Sequence, residues 1–154
     1  KTVTQALVTS RLDYGNALYT GITTQLFKRL QTIQNAAARL ILDLPRRSSI
    51  TPHLRNLHWL PIKKRCHFKL LTHAYKALHN SGPTYINHHL TLYHPTRHLS
   101  SATLAIVPRI QRSRGGGRSF SHLAAKAWNE VPLHLWTSPS LANFRRKLKT
   151  CLFE

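Results

Sequence analysis

The sequence predicts a mainly α-helical chain, a multi-helix bundle with a long irregular loop at about 93–119 and at most one short strand. Three observations predict it. Apolar residues recur three and four positions apart through most of the 154 residues, which is the spacing of one helix face. Residues that start and stop helices bracket those stretches. Hydrophobic residues make up 42% of the chain, with three Trp, five Tyr and five Phe, enough for a packed interior and too much for a disordered chain.

The first helix is expected from residue 2 to about 19, where Val3, Leu7, Tyr14 and Leu18 return at helical spacing and Gly21 stands as a stop. A second is carried by Leu26, Leu30, Ile33, Ala37, Leu40 and Leu44, at spacings of four, three, four, three and four. Thr23 or Thr24 caps it and Pro45 ends it. Asp43 lies at the end that the helix dipole disfavours, so a weak surface pair with Arg39 is expected. Thr51-Pro52, a cap followed by Pro at the first helical position, starts a short helix through His58. Pro61 opens a longer one. In it Ile62, Cys66, Leu70, Ala74 and Leu78 lie four apart, and Phe68, Leu71 and Tyr75 widen the apolar face. Lys63, Lys64, Arg65, Lys69 and Lys76 make the opposite face, and Asn80-Ser81-Gly82-Pro83 terminates the helix.

Residues 93–119 change character. They hold Pro95, Pro108, the run Gly115-Gly116-Gly117 and one apolar cluster, Leu104 to Val107, and read as a long loop with one short strand or extended segment. Ser119 or Ser121 then caps a helix through Val131, Pro132 breaks it, and 133–136 is expected to run extended. Ser138-Pro139 repeats the cap-plus-Pro signal. The last helix, about 139–153, puts Leu141, Phe144, Leu148, Cys151 and Leu152 inward and Arg145, Arg146, Lys147 and Lys149 mostly outward. The expected division is a helical part at 1–92, a loop at 93–119 and a helical part at 120–154.

Charge narrows the function. Lys and Arg number 23 against 4 Asp and Glu, a formal net charge of +19 with 11 His neutral. Charged residues are only 18% of the chain, below the roughly 25% of an ordinary domain, so the excess reflects missing acids. Two-metal phosphoryl transfer, glycosidase and aspartic-protease sites all need carboxylates brought together. Here the supply is Asp13, Asp43, Glu130 and Glu154, none adjacent. A self-contained polymerase, nuclease or glycosidase is therefore not expected. Nucleic acid and an anionic membrane surface are the commonest partners of so basic a chain. No run approaches ~18 apolar residues, so a membrane span is not expected. No signal-type apolar stretch opens the sequence, so secretion is not expected either. Cys66 and Cys151 are far apart, which favours a reducing, intracellular compartment. Met is absent, position 1 included, as expected of a piece of a longer protein or a processed product.

Six strings carry a resemblance: SRLDYGNAL at 10–18, LQTIQNAAARLI at 30–41, ITPHLRNLHWLPIKKR at 50–65, FKLLTHAYKALH at 68–79, GGRSFSHLAAKAWNEVP at 116–132 and SPSLANFRRKLKTCLF at 138–153. Together they resemble the C-terminal part of the reverse transcriptase polyprotein of LINE-type non-LTR retrotransposons. The group is the one with an apurinic-type endonuclease in front and no zinc-knuckle tail. The resemblance covers nearly the whole chain. It implies that 1–92 is the thumb-like end that follows the catalytic palm, and that the rest is a post-thumb segment. It also implies a non-catalytic segment of an RNA-directed DNA polymerase that grips template RNA and primer DNA, in the nucleus and cytoplasm as a ribonucleoprotein. The palm's paired aspartates are missing here, and the magnesium they bind would belong to that palm, so no cofactor is expected. Gly15 stands where the family usually has Cys, and Ala125 where Pro is common. Both departures fit a decayed or domesticated copy.

Gripping a duplex is phosphate neutralisation, which Lys and Arg supply without reading sequence. The candidates are Arg46 and Arg47; Lys63, Lys64, Arg65 and Lys69; Arg112, Arg114 and Arg118; and Arg145, Arg146, Lys147 and Lys149. A charge run is ordinarily a solvated face, but with so few acids to pair with, the set is assigned to nucleic-acid contact. The glycine run lacks the Lys-Ser/Thr of a phosphate-binding loop and is read as flexible. His88, His89, His94 and His98 lie close together without the Cys pairs of structural zinc sites, so no metal is expected. Trp59, Trp128 and Trp136 are read as core or helix-end anchors rather than base-stacking platforms, and the two Cys as buried thiols. Two other readings stay open, a transposon-derived relic with no retained polymerase role and a membrane-surface role for the last helix alone; a basic helical protein of ribosomal RNA or chromatin is disfavoured by the Leu-rich amphipathic faces and the absence of long Lys/Arg tails.

Overall fold

A computed structural model describes residues 2–93, 104–110 and 116–153. It is mainly α-helical, with no strand among the described residues. Among the described residues no helix is long and apolar enough to cross a membrane. The described residues form two compact units, one of those up to Cys66 together with Phe153 and one of those from His67 to Leu152. The division falls inside a helix, at Cys66 and His67, and the described residues of the 93–119 segment belong to the second unit.

The first unit opens with a broken helix. Residues Thr2–Thr4 (α1) pass through a π-helical turn, Gln5–Thr9, into Ser10–Asp13 (α2), and a 3-10 turn follows at Asn16–Tyr19. The single helix expected from 2 to 19 is thus not formed. Gly15 takes φ +59°, a left-handed conformation that glycine adopts at little cost, and the chain turns there instead of continuing. The π turn also slips the register by one residue. Leu12 becomes the buried residue, while Val3, Leu7, Tyr14 and Leu18 are exposed, the last two at 83% and 84%.

Helix α3, Thr24–Leu42, follows the expected periodicity. It buries Gln34, Ala37 and Ala38 and half-buries Phe27 and Leu30, but leaves Leu26, Ile33 and Leu40 exposed. Asp43 ends it in a left-handed C-cap, with the Leu44 amide bonded to the Arg39 carbonyl. The expected Asp43–Arg39 pair is replaced: the Arg39 guanidinium donates to the Ser48 carbonyl at 3.3 Å. A C-cap with positive φ carries Asp43 off the helix surface, out of i−4 register. In α4, Thr51–Asn56, Thr51 is the first helical residue and makes no side-chain cap; Pro52 still sits at the helix start. His58, at φ +54°, lies past the helix end.

Helix α5, Ile62–Leu78, contributes its first residues to the first unit and the remainder to the second. Ile62 and Cys66 join Leu12 in a small core flanked by Val8, Tyr19, Phe27 and Leu30. A buried amide network holds this start in place. Gln34 Nε2 donates to the Leu60 carbonyl at 2.8 Å, Gln31 Nε2 donates to Gln34 Oε1 at 2.9 Å, and Gln31 Oε1 accepts from the Ile62 amide at 2.9 Å. One of the amides left unpaired at the start of α5 is therefore satisfied by a side chain of α3.

The second unit packs the rest of α5, the short α6 (Thr84–Asn87), α7 (Phe120–Asn129), α8 (Leu133–Trp136) and α9 (Leu141–Phe153) as far as Leu152 around one apolar core. Tyr75 stacks on Phe144 with centroids 4.5 Å apart, and Trp128 lies 6.2 Å from Trp136, nearly parallel. Trp128 is thus a core residue, as its sequence context suggests. The segment expected to be extended at 133–136 is one helical turn instead. Pro132 caps it, the Leu135 amide bonds to the Pro132 carbonyl, and the turn buries Leu135 fully. Ser119 caps α7 by accepting from the His122 amide, whereas α9 is capped by Ser140, through the Asn143 amide, rather than by Ser138. Ser138 is buried, and its carbonyl takes the Tyr75 hydroxyl at 2.8 Å. In the 104–110 segment a single antiparallel bridge joins Leu92 and Ala105, and Asn129 grips both the amide and the carbonyl of Ala105, at 2.8 and 3.0 Å.

Candidate nucleic-acid interface

In the first unit the basic residues are set out by turns and helix starts. Arg46 and Arg47 are exposed in a turn that Ser48 closes, its amide and hydroxyl both bonded to the Pro45 carbonyl. Lys63 is exposed and Lys64 half-buried on the first turn of α5. Arg65 is different. Its guanidinium lies 2.9 Å from Asp13 Oδ1, with 13% of the arginine side chain exposed, and the same carboxylate oxygen accepts from Asn16 Nδ2 at 3.3 Å. Arg65 therefore ties α5 to the N-terminal turns and is committed within the unit.

In the second unit two helices bring cations together. Lys69, His73 and Lys76 follow one another at spacings of four and three on α5 and share a face. On α9, Arg145 places its guanidinium carbon 5.9 Å from the centroid of the Phe68 ring, a cation–π contact that anchors it beside α5. Lys149 is one turn further along the same exposed row. Burial, and after it the charges of Lys69 and Lys76, lower the pKa of His73 below the ordinary 6.5. Two positively charged neighbours and partial desolvation both disfavour the imidazolium.

The five cations expected on one face of α5 are thus distributed around it. A step of 100° per residue puts Arg65, Lys69 and Lys76 within one row, with Lys63 and Lys64 turned away. On α9, Arg145 and Lys149 lie on the flank toward Phe68, while Arg146 and Lys147 turn to the other flank. Arg118 is exposed in a 3-10 turn, Gly116–Arg118, ahead of α7. Arg112 and Arg114 lie outside the described residues, as do His94 and His98. His73 was not among the sequence candidates, nor Lys76 among the assigned contacts; the spacing 69, 73, 76 was the available signal.

Among the described residues one carboxylate, that of Asp13, is used in an ion pair. Asp13 pairs with Arg65, Asp43 caps α3, and Glu130 stands exposed at the C-cap of α7. Among the described residues no three His, Cys, Asp or Glu side chains converge as metal ligands. His89 makes an edge contact with Phe120. Burial pushes the Cys66 thiol up to about 11, so it stays protonated and inert at neutral pH. What the described surface offers is cations in rows on helices, held by aromatic and amide contacts, with four carboxylates in the whole chain to oppose 23 Lys and Arg. The chain matches no protein-family model, no curated protein and no solved structure.

Proposed function

We propose that the chain is a non-catalytic nucleic-acid-binding segment, resembling the thumb end and post-thumb part of a LINE-type reverse transcriptase, that holds template RNA and primer DNA through their backbones. The observation that carries this reading is the pair of cationic helix faces in the second unit, Lys69 and Lys76 on α5 and Arg145 and Lys149 on α9, with Arg145 held against Phe68 of α5. Rigid rows of cations suit a regular array of phosphates, and every phosphate they neutralise releases counterions. Arg46, Arg47, Lys63 and Arg118 add exposed charge elsewhere on the chain. Arg65, held by Asp13, supplies the frame rather than a contact.

The test is a titration of the full chain with an RNA–DNA primer–template hybrid at several salt concentrations. Affinity should fall linearly on a log–log plot, with a slope of about 0.7–0.9 per neutralised phosphate. Replacing Lys69 and Arg145 by Ala should lower that slope by about one unit each while weakening all sequences alike. An interaction that is undetectable at low ionic strength, or indifferent to salt, overturns the reading.

A further inference from the structure

The two cations of α9 that turn away from Phe68 line something else. Arg146 and Thr150 form one i, i+4 row and Lys147 and Cys151 the next, and both rows border an open cleft of about 460 Å³ whose other lining residues are Pro132 and His134. We propose that this cleft is a binding site for a single unpaired nucleotide, taken from the end or a single-stranded part of a polynucleotide. The inference deepens the nucleic-acid reading and rests on it in naming the source of the nucleotide.

The lining suits the parts of a nucleotide. Arg146 spends one of its five N–H donors on Asn143 Oδ1, at 3.4 Å, which leaves the rest of the fork for phosphate oxygens beside Lys147. Thr150 commits its hydroxyl proton to the Arg146 carbonyl at 3.2 Å, so toward the cleft it presents lone pairs, which fit a donor such as a sugar hydroxyl rather than another anion. Pro132 and the thiol of Cys151 supply apolar wall, with His134 beside them. Among the described residues no carboxylate lines the cleft to neutralise the two cations. Its volume falls in the range of small-molecule sites, about 300–1,000 Å³, large enough for one nucleotide. A paired base is enclosed in its stack and cannot enter without being extruded. The cleft therefore discriminates unpaired from paired nucleotides, which a row of surface cations does not.

Cys151, which is half-buried at the cleft and not the buried thiol its helix face predicts, makes the proposal measurable. Cys66 is 1% exposed with a thiol pushed up to about 11, so a maleimide at neutral pH reads Cys151 of the full chain. Adenosine monophosphate and a single-stranded oligonucleotide should slow that labelling several-fold, and a blunt duplex of equal length should not. With Arg146→Ala or Lys147→Ala, the concentration needed for protection should rise about tenfold, the loss of one charge-assisted hydrogen bond. Lys126→Ala, an exposed cation of α7 that lines neither the cleft nor the α5 face, should leave protection by adenosine monophosphate unchanged. Inorganic phosphate alone should protect weakly, since it leaves the apolar wall uncovered. The proposal is overturned if neither nucleotide nor single strand protects, if the blunt duplex protects equally, or if both α9 variants behave like wild type. Salt-dependent hybrid binding without any protection of Cys151 removes the cleft and leaves the nucleic-acid reading intact. Protection by adenosine monophosphate without binding of any polynucleotide supports the cleft and removes the polynucleotide as its source.

Discussion

Asp13 shows what a scarce carboxylate is used for. Its Oδ1 receives both the Arg65 guanidinium and the Asn16 amide, so one oxygen joins the turn after α2 to the start of α5. Asn16 is 3% exposed and Arg65 mostly covered, so removing the acceptor strands two donors that water reaches poorly. Asp13→Ala should cost about 1–2 kcal/mol in urea unfolding, the lower end reflecting a carboxylate that is itself half-exposed. Arg65→Ala should cost a similar amount and barely change the salt slope of nucleic-acid binding. His73 gives the pH counterpart. Its pKa is lowered in the folded chain, so as pH falls below 6.5 the unfolded chain takes up the proton first, and stability is lost on the acid side. The stability is fully present above 6.5 and declines toward the lowered value. His73→Gln should flatten that slope, measured as urea midpoints on either side of 6.5.

Helix α3 separates what a period reveals from what it conceals. Its four-three repeat is legible in the sequence, and the helix forms where the repeat runs. Which half of the repeat faces inward is another matter. Leu30 and Ala37 turn in, while Leu26, Ile33 and Leu40, each seven residues apart, stay out, with Leu40 77% exposed. A seven-residue repeat marks both stripes of a seam equally, and only the packing partners choose between them. Ile33→Gln and Leu40→Gln should therefore change stability by less than about 0.5 kcal/mol, as exposed positions do. Ala38→Leu, at a fully buried contact, should cost about 1–3 kcal/mol through overpacking. Thermal unfolding of the three variants checks both. The same reasoning explains the failures at 2–19 and 133–136. A spacing rule has no means of reporting a π turn and a left-handed glycine in the first case, or a proline that caps rather than breaks in the second.

At the scale of the whole molecule, the mainly helical class was legible because helix periodicity is a local property that survives errors of detail. The candidate interface was legible as composition and only partly as geometry. Four basic clusters could be read, but their division into a row beside Phe68, a cleft behind α9 and an arginine held by Asp13 depends on contacts far apart in sequence. A net charge of +19 also acts on stability. Folding concentrates like charges, so raising salt from about 0.01 M to about 0.15 M, which shortens the screening length from about 30 Å to about 8 Å, should raise the melting temperature. Hybrid affinity falls over the same range, so the two curves should run in opposite directions. Parallel curves would show that unfolding, and not phosphate contact, controls the binding.

The amide of Ile62 finds its acceptor 31 residues earlier, on Gln31. Pro61 starts helix α5 locally, and its first turn is completed by an older part of the chain. Synthesis proceeds from the N-terminus, so α3 leaves the ribosome ahead of α5, and the acceptor on Gln31 is in place when the Ile62 amide emerges to meet it.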